Sequence, residues 1–357
     1  MTDTASSAPV ITRLDGRVGR ITLNRPQALH ALTADMCRSM IQALMAWRRD
    51  AGVQAVLIDH AGERGFCAGG DIRMLAESGA SDGELARDFF HTEYRLNHLL
   101  FVYPKPVVAV MDGIVMGGGV GISAPAQVRI ATERTTFAMP ETGIGLFPDV
   151  GGGWFLPRLP GRTGTWLALT GARLKAADCL SLGLATHYVE SAKLEALKAA
   201  IMLDPAQLWG AVQDVASDPG AGPLAANRDA IDRLFAFDTV EEIFAALEAD
   251  GGAWASSQLE LLRTKSPQTL KVTLRQLRTG AGLSDFADNM AMEYRIASRV
   301  VRRHDFKEGV RAVIVDKDNA PRWAPASVEE VSDEVLEQIF ALLPPDMEWT
   351  PLPELGA

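Results

Sequence analysis

Two glycine-rich segments could present bare backbone to a ligand. One is residues 65–71, with consecutive glycines at Gly69 and Gly70, and the other is the glycine run 117–119. Glycine permits close backbone approach and positive φ, so main-chain N–H groups can face a bound group and stabilise its negative charge. An ordinary tight turn has the same composition, so each segment alone is a weak indication of function.

Nucleotide-binding motifs do not account for these glycines. The Gly-x-Gly-x-x-Gly pattern fits from Gly113 onward only when its frame is shifted, and no acidic residue ends a strand about 20 residues later. No Gly-Lys-Ser/Thr sequence follows the glycine run, which excludes a P-loop. The glycines must therefore be interpreted together with other residues.

Two carboxylates follow in an otherwise uncharged stretch. Glu141 and Asp149 lie eight residues apart within residues 139–153, which are apolar or glycine-rich elsewhere. Burying an ionised carboxylate without partners is costly, so acids in such surroundings are often kept for a chemical task. The alternative is two acids in a surface loop, with Asp149 capping the turn that follows.

A third acid falls on the apolar face of a helix predicted over residues 84–100. The apolar stripe of this helix consists of Leu85, Phe89, Leu96 and Leu100. Glu93 lies on the same stripe, where an acid needs either a cavity or a partner. A neighbouring arginine, Arg87 or Arg95, could be that partner, and both interpretations stay open.

The predicted elements that must position these residues alternate between strands and helices. The predicted strands are residues 10–14, 18–23, 53–58, 107–110, 128–131, 136–138 and 184–189. The first two form a hairpin, and Thr33 begins a helix that leads to the third strand, which favours parallel pairing through a crossover. Helical patterns dominate beyond the last strand, so we divide the chain into an α/β core, residues 1–200, and a mainly helical region, residues 201–357. Residues 1–9 are small and polar and are predicted to be a frayed tail.

Composition excludes several classes of protein. The chain has 357 residues, 47% of them hydrophobic, and a net charge of −10, which argues against nonspecific nucleic-acid binding. No apolar run approaches the ~20 residues of a membrane span. The histidines form no His-x-x-x-His pair, so no metal site is expected. Three cysteines, Cys37, Cys67 and Cys179, show no paired spacing and indicate free thiols, from which we expect a cytoplasmic location.

Taken together, the motifs resemble the crotonase (enoyl-CoA hydratase/isomerase) superfamily. The segments that carry the resemblance are residues 23–32, 67–71 and 117–119. It implies an α/β fold, a crotonase-like spiral of ββα units with a mainly helical C-terminal region. It further implies oxyanion donors at the N–H groups of Gly70 and Gly118. Four residues are implied to bind coenzyme A, which is part of the substrate, with no further cofactor: Arg25, Ala28, Ala68 and Gly70. A homo-oligomer is also compatible with the family.

Within the superfamily, the 3-hydroxyisobutyryl-CoA hydrolase branch is the most similar. Residues 139–142, 147–153, 89–97, 306–312 and 316–318 carry this likeness. It implies a substrate site lined by Glu93, Gly118, Glu141 and Asp149. The activity implied is hydrolysis of 3-hydroxyisobutyryl-CoA, a step of valine catabolism, with Glu141 as nucleophile or general base and Asp149 on the 3-hydroxyl.

Two departures from the superfamily pattern bear on the reaction. A hydratase places a second catalytic glutamate where this chain has Gly121, which disfavours addition of water to an enoyl ester. A lysine that can meet a coenzyme A phosphate is replaced by Gln27. An enoyl-CoA hydratase or isomerase using Glu141 alone, and a non-catalytic acyl-CoA-binding subunit, are the alternatives.

Overall fold

The computed structural model describes residues 8–355. Its strands are β1 (Val10–Asp15), β2 (Val18–Leu23), β3 (Ala55–His60), β4 (Gly65–Cys67), β5 (Val107–Met111), β6 (Ile114–Met116), β7 (Val128–Ala131), β8 (Thr136–Ala138) and β9 (His187–Tyr188). Its helices in the first half are α1 (Ala34–Arg49), α2 (Ile72–Gly79), α3 (Glu84–Phe101), α4 (Gly118–Ser123), α5 (Gly152–Phe155), α6 (Thr163–Thr170) and α7 (Ala176–Ser181). The later helices are α8 (Leu194–Leu203), α9 (Leu208–Val215), α10 (Arg228–Leu234), α11 (Val240–Asp250), α12 (Ala253–Arg263), α13 (Pro267–Ala281), α14 (Phe286–Val300), α15 (His304–Val310) and α16 (Asp333–Phe340).

The strand order follows from repeated ββα units. β1 and β2 form the predicted antiparallel hairpin, and β2 pairs in parallel with β3 after the crossover through α1. The Thr33 side chain caps α1 by accepting a hydrogen bond from the Met36 N–H. The larger sheet has the order β1-β2-β3-β5-β7-β9 and the smaller one β4-β6-β8. Each of the pairs β3/β4, β5/β6 and β7/β8 therefore gives one strand to each sheet, as a spiral of ββα units requires.

The glycine-rich segments are more regular than the sequence predicts. Residues 65–71 and 113–121 contain the short strands β4 and β6 and the helix α4. Close backbone approach explains this pairing, since a Cβ on Gly113 would lie 2.6 Å from the Gly65 Cα. Conversely, the predicted strand 184–189 shrinks to His187–Tyr188, because the Ala185 N–H donates to Cys179 O and Arg129 Nε donates to Leu184 O.

The chain forms two compact units, each assembled from separated segments. The first unit comprises residues through Gly70, Leu96–Phe137 and Leu174–Pro223, and the second comprises Asp71–Arg95, Ala138–Arg173 and the residues from Leu224 onward. The division at residue 200 follows element type instead: beyond β9, no strand occurs among residues 189–355. Compactness and sequence order thus divide the chain differently.

The predicted N-terminal tail is only partly described. Residues 1–7 of the predicted tail lie outside the described residues. Pro9 is not frayed, because its carbonyl accepts a hydrogen bond from the Asn24 N–H at 2.8 Å. Within residues 8–355, every helix is too short or too polar to cross a bilayer.

Candidate active site

The two glycine turns, residues 69–70 and 117–119, lie side by side in the first unit. Leu32 N–H donates to Gly69 O at 2.8 Å, which fixes the turn after β4. Gly69 has φ +119°, and a Cβ built on it would lie 3.9 Å from the Gly118 nitrogen. The structure therefore brings the Gly69–Gly70 turn beside the start of α4. This proximity is needed if the N–H groups of Gly70 and Gly118 are to meet the same ligand atom.

The start of α4 depends on glycine for steric reasons. A Cβ on Gly119 would lie 2.3 Å from the Cys67 carbonyl oxygen, so a side chain there would separate the segments. Val120 and Gly121 N–H both donate to Gly117 O. In the part of the chain that is described, no protein acceptor pairs with the N–H of Gly70 or of Gly118. These amides are free to meet a ligand.

The predicted coenzyme A segment runs beside the first glycine turn. Ala68 N–H donates to Leu29 O at 3.0 Å, which places residues 25–31 against residues 68–70. The Arg25 guanidinium donates to Ala31 O at 2.7 Å, so part of its hydrogen-bonding capacity holds its own loop. Arg25, Ala28 and Ala68 thus share one region with Gly70, and their contact with coenzyme A stays a prediction.

The predicted acids lie in the second unit and are buried. Glu93, Glu141 and Asp149 are exposed by 2%, 5% and 5%. Burial, and then the charge of Asp149, raise the pKa of both Glu93 and Glu141 well above its ordinary value. Burial also raises the pKa of Asp149 to about 6. The surface-loop alternative for Glu141 and Asp149 is therefore wrong.

Among the described residues, no arginine holds Glu93. Arg87 donates to Asp82 O, and Arg95 donates to Thr350. The Glu93 Oε1 atom has no hydrogen-bond partner within residues 8–355. Its helix stripe is confirmed except at Leu85, whose side chain is 65% exposed because it lies in the first turn of α3.

Tyr94 is a site residue that the sequence analysis missed. Its hydroxyl donates to Asp149 Oδ2 at 2.8 Å, and this bond opposes the rise in the pKa of Asp149. The only sequence signal is its position next to Glu93. Tyr94 fixes the orientation of the Asp149 carboxylate. Within residues 8–355, Glu93 Oε1 and Glu141 Oε2 have no such donor.

Glu141 begins a tightly packed 3-10 turn, Glu141–Ile144. The Ser266 N–H donates to Thr142 O, and a Cβ on Gly145 would lie 2.2 Å from Asp305 O. Glu141 Oε2 has no partner within residues 8–355. A rigid turn therefore presents a buried carboxyl oxygen that is not engaged, which suits a nucleophile or a base.

Asp149 lies in a loop that is anchored by a second buried acid. Glu293 of α14 accepts hydrogen bonds from Gly151 N–H at 2.8 Å and Gly153 N–H at 2.9 Å. Burial raises the pKa of Glu293 to about 8, although both backbone bonds oppose the rise. Sequence analysis missed Glu293. The signal that identified Glu93, an acid on the buried face of a helix, would have identified it on α14.

The acid cluster is defined as Glu93, Glu141, Asp149 and Glu293. No lysine or arginine forms an ion pair with any of its members in the described chain. No group of three or more His, Cys, Asp and Glu side chains among residues 8–355 is arranged to hold a metal ion. Four carboxyls thus share a buried environment with hydroxyl, amide and backbone donors alone.

Comparisons with known proteins place the chain in a family. The pattern of the enoyl-CoA hydratase/isomerase family matches residues 18–340. The chain belongs to this family. Its similarity to the hydrolase branch is also confirmed: the chain is 47% identical over 352 residues to the 3-hydroxyisobutyryl-CoA hydrolase, mitochondrial, of Danio rerio, covering 96% of this chain and 92% of that protein.

Solved structures of the family share the fold. A carnitinyl-CoA dehydratase from Mycobacterium thermoresistibile superposes with a TM-score of 0.92 at 44% identity, covering 96% of this chain and 99% of that one. An enoyl-CoA hydratase from Rhodobacter sphaeroides 2.4.1 gives a TM-score of 0.87 at 41% identity, covering 96% and 100%. The predicted crotonase-like fold is confirmed.

The predicted cytoplasmic location is wrong. The matching 3-hydroxyisobutyryl-CoA hydrolase of Danio rerio is named a mitochondrial protein. The prediction relied on thiols without disulfides, and within residues 8–355 Cys37, Cys67 and Cys179 are indeed buried and form no disulfide. Free thiols indicate a reducing environment without naming the compartment.

Proposed function

We propose that this protein hydrolyses short 3-hydroxyacyl-CoA thioesters, with 3-hydroxyisobutyryl-CoA as its substrate in valine catabolism. The observation that carries the proposal is the contrast between two positions. Glu141 is a buried carboxyl with an unengaged oxygen, whereas Gly121 of α4 stands where a hydratase has its second acid. One carboxyl suffices for attack on a thioester, but syn addition of water to an enoyl group uses two. The 47% identity to a 3-hydroxyisobutyryl-CoA hydrolase supports the same assignment.

In the proposed mechanism, the thioester oxygen accepts hydrogen bonds from the Gly70 and Gly118 N–H groups. These donors stabilise the oxyanion of the tetrahedral intermediate, and losing one such donor typically costs about 2.7–4 kcal/mol in barrier height. The residues proposed to hold the coenzyme A portion are Arg25, Ala28, Ala68 and Gly70. Coenzyme A enters as part of the substrate, and hydrolysis needs no further cofactor.

Glu141 supplies the attack by one of two routes. As a nucleophile, its carboxylate adds to the carbonyl carbon and expels the coenzyme A thiolate, and water then hydrolyses the resulting anhydride. As a general base, it takes a proton from the water that attacks the same carbon. Asp149 accepts a hydrogen bond from the 3-hydroxyl, and Glu93 orients that part of the acyl group. A site built to satisfy a hydroxyl discriminates against esters that lack it.

Hydration of an enoyl-CoA is the second candidate, because both solved relatives above carry dehydratase or hydratase names. The two reactions are separated by incubating the protein with 3-hydroxyisobutyryl-CoA and with crotonyl-CoA. We expect free thiol from the first and no loss of the conjugated enoyl absorbance with the second. Loss of that absorbance without thiol release would establish a hydratase.

Glu141→Gln tests the role of the carboxyl. We expect thiol release to fall by about 10³-fold or more, within the range of general acid–base contributions. Glu260→Gln, an exposed substitution on α12, is the matched control and should retain full activity. Undiminished turnover by Glu141→Gln would refute its role. Calorimetric binding of the ester by the wild-type protein without any thiol release would instead indicate a binding subunit.

A further inference from the structure

We propose that Glu293 is a positioning residue, which sets the specificity for the 3-hydroxyl by holding the loop that carries Asp149. The inference rests on the proposed function, in which Asp149 binds this hydroxyl. Glu293 itself is fully buried in α14 and belongs to the same compact unit as Asp149.

The contacts of Glu293 converge on residues 148–153. Its Oε2 accepts from Gly151 N–H and its Oε1 from Gly153 N–H, so each oxygen holds one point of the loop. Asn289 Nδ2 and Gln276 Nε2 donate to Oε1 at 2.9 and 3.1 Å. Gln276 Nε2 also donates to Pro148 O at 2.7 Å. The loop is therefore fixed on both sides of Asp149 by a single polar network.

The backbone of this loop needs such an anchor. Val150 has φ +52°, which is unfavourable for a β-branched residue, and Gly151 has φ +96°. A Cβ on Gly151 would lie 2.7 Å from a Phe155 ring carbon, and one on Gly153 would lie 2.7 Å from Asn289 Oδ1. Local preferences would not select this conformation, which persists because the surrounding contacts determine it.

A carboxyl is better suited to the task than an amide of the same shape. Two oxygens on one side chain can accept from two backbone N–H groups at once, in either protonation state. Glutamine would place an NH₂ group against one of those backbone N–H groups, and that N–H group would then be buried without an acceptor. Tyr94 then orients the Asp149 carboxylate, and Glu293 sets where its backbone lies.

The substitution Glu293→Gln tests the assignment, with Asp149→Asn as the comparison and Asp288→Asn, exposed on the same helix, as the control. For Glu293→Gln we expect kcat/KM for 3-hydroxyisobutyryl-CoA to fall by about 10- to 100-fold, since misplacement by ~1 Å has effects of this size. The inhibition constant of isobutyryl-CoA, which lacks the hydroxyl, should change less than about twofold. Hydrogen exchange of the peptide covering residues 148–155 should be faster. Asp288→Asn should match the wild type in all three measurements.

Asp149→Asn separates the failure of this inference from failure of the proposed function. It should lower kcat/KM for 3-hydroxyisobutyryl-CoA and change the inhibition constant of isobutyryl-CoA little. Hydrogen exchange in the loop should stay unchanged. Suppose that Asp149→Asn affects only the ester that carries the hydroxyl. If Glu293→Gln then impairs the interaction with both esters equally, or with neither, the positioning role is wrong. If Asp149→Asn shows no selectivity, the assignment of Asp149 fails, and the positioning role falls with it. Should Glu293→Gln not fold, Gln276→Met, which removes the Pro148 bond, takes its place with the same expectations.

Discussion

The glycine turns of the first unit and the acid cluster of the second unit offer opposite kinds of chemistry. At Gly70 and Gly118 the useful groups are backbone amides, which carry no titratable proton and require only that nothing else occupies the space. In the acid cluster the useful groups are side chains whose protonation depends on burial and on one another. The first region depends on the absence of side chains around its amides, and the second on which of its carboxyls are ionised.

This difference determines how each region responds to change. Adding one carbon to a glycine turn moves the backbone, whereas replacing a carboxyl by its amide keeps the shape and removes the charge. The pKa of each acid in the cluster is higher in the folded chain than in the unfolded one. Their contribution to folding stability is therefore complete at low pH and is lost as pH rises through the folded pKa values. The turns should show no such dependence.

Of the four variants that compare the two regions, Gly119→Ala, Asp149→Asn, Tyr94→Phe and Glu93→Gln, the first should have the largest effect. The new Cβ meets the Cys67 carbonyl and displaces the neighbouring Gly118 N–H, so kcat/KM should fall by about 100- to 1000-fold, the effect of losing one oxyanion donor. The shape of the pH–rate profile should stay the same, because no titrating group is altered. Gly210→Ala in α9, where a Cβ has room, is the control and should be fully active. A displaced acidic limb in Gly119→Ala would show that the two regions are not independent.

Asp149→Asn should come next, with a loss of about 10- to 100-fold in kcat/KM for the hydroxylated ester, as expected for a hydrogen bond to a charged group. It also removes the charge that raises the pKa of Glu141. Because Glu141 acts as its carboxylate, the acidic limb of the kcat profile should move to lower pH. The measurement is kcat for thiol release across pH 4 to 9, roughly the range spanning ordinary and raised carboxyl pKa values. A limb that stays in place or moves upward would argue against electrostatic coupling between these two acids.

Sequence patterns predicted most of what is local in this molecule. Hairpin turn chemistry, the Thr33 cap and the apolar stripe of α3 are set by near neighbours, and all are found except for Leu85 in the stripe. The strands β4 and β6 were missed because each has only 3 residues, too few for a periodic pattern, and because their contact depends on Gly65 meeting Gly113.

The candidate site was predictable in its acids but not in their partners. Glu93, Glu141 and Asp149 stand out because each interrupts an apolar or glycine-rich stretch. The pairing of Tyr94 with Asp149 joins residues 55 apart in sequence, and that of Glu293 with Gly151 joins residues 142 apart. No periodicity records such contacts, since they arise only when the segments pack together.

Tyr94→Phe should have a smaller effect on catalysis than Asp149→Asn, because it leaves the Asp149 carboxylate in place. The lost hydrogen bond lowers the pKa of Asp149, so its removal should raise that pKa above about 6. Turnover of 3-hydroxyisobutyryl-CoA should fall by about tenfold, and more at pH 6 than at pH 8, because a larger fraction of Asp149 is ionised at the higher pH. Tyr103→Phe, which removes a buried hydroxyl bonded to Leu44 O in the first unit, should leave the pH profile unchanged. An equal loss at both pH values would mean that Tyr94 does not act through the ionisation of Asp149.

Glu93→Gln should produce the smallest change, a gain of about 1 kcal/mol in the free energy of unfolding at pH 8. Burial raises the pKa of Glu93 in the folded chain above the value of about 4.3 expected when unfolded, so retaining the carboxyl destabilises the fold increasingly as pH rises above that value. The gain should therefore shrink towards zero at pH 5. Urea denaturation at both pH values measures it, with Glu260→Gln as the exposed control that should change neither. A variant less stable than the wild type at pH 8 would show that Glu93 is held in its charged form, and the acid cluster would then resemble an ordinary paired network more than a site kept for binding.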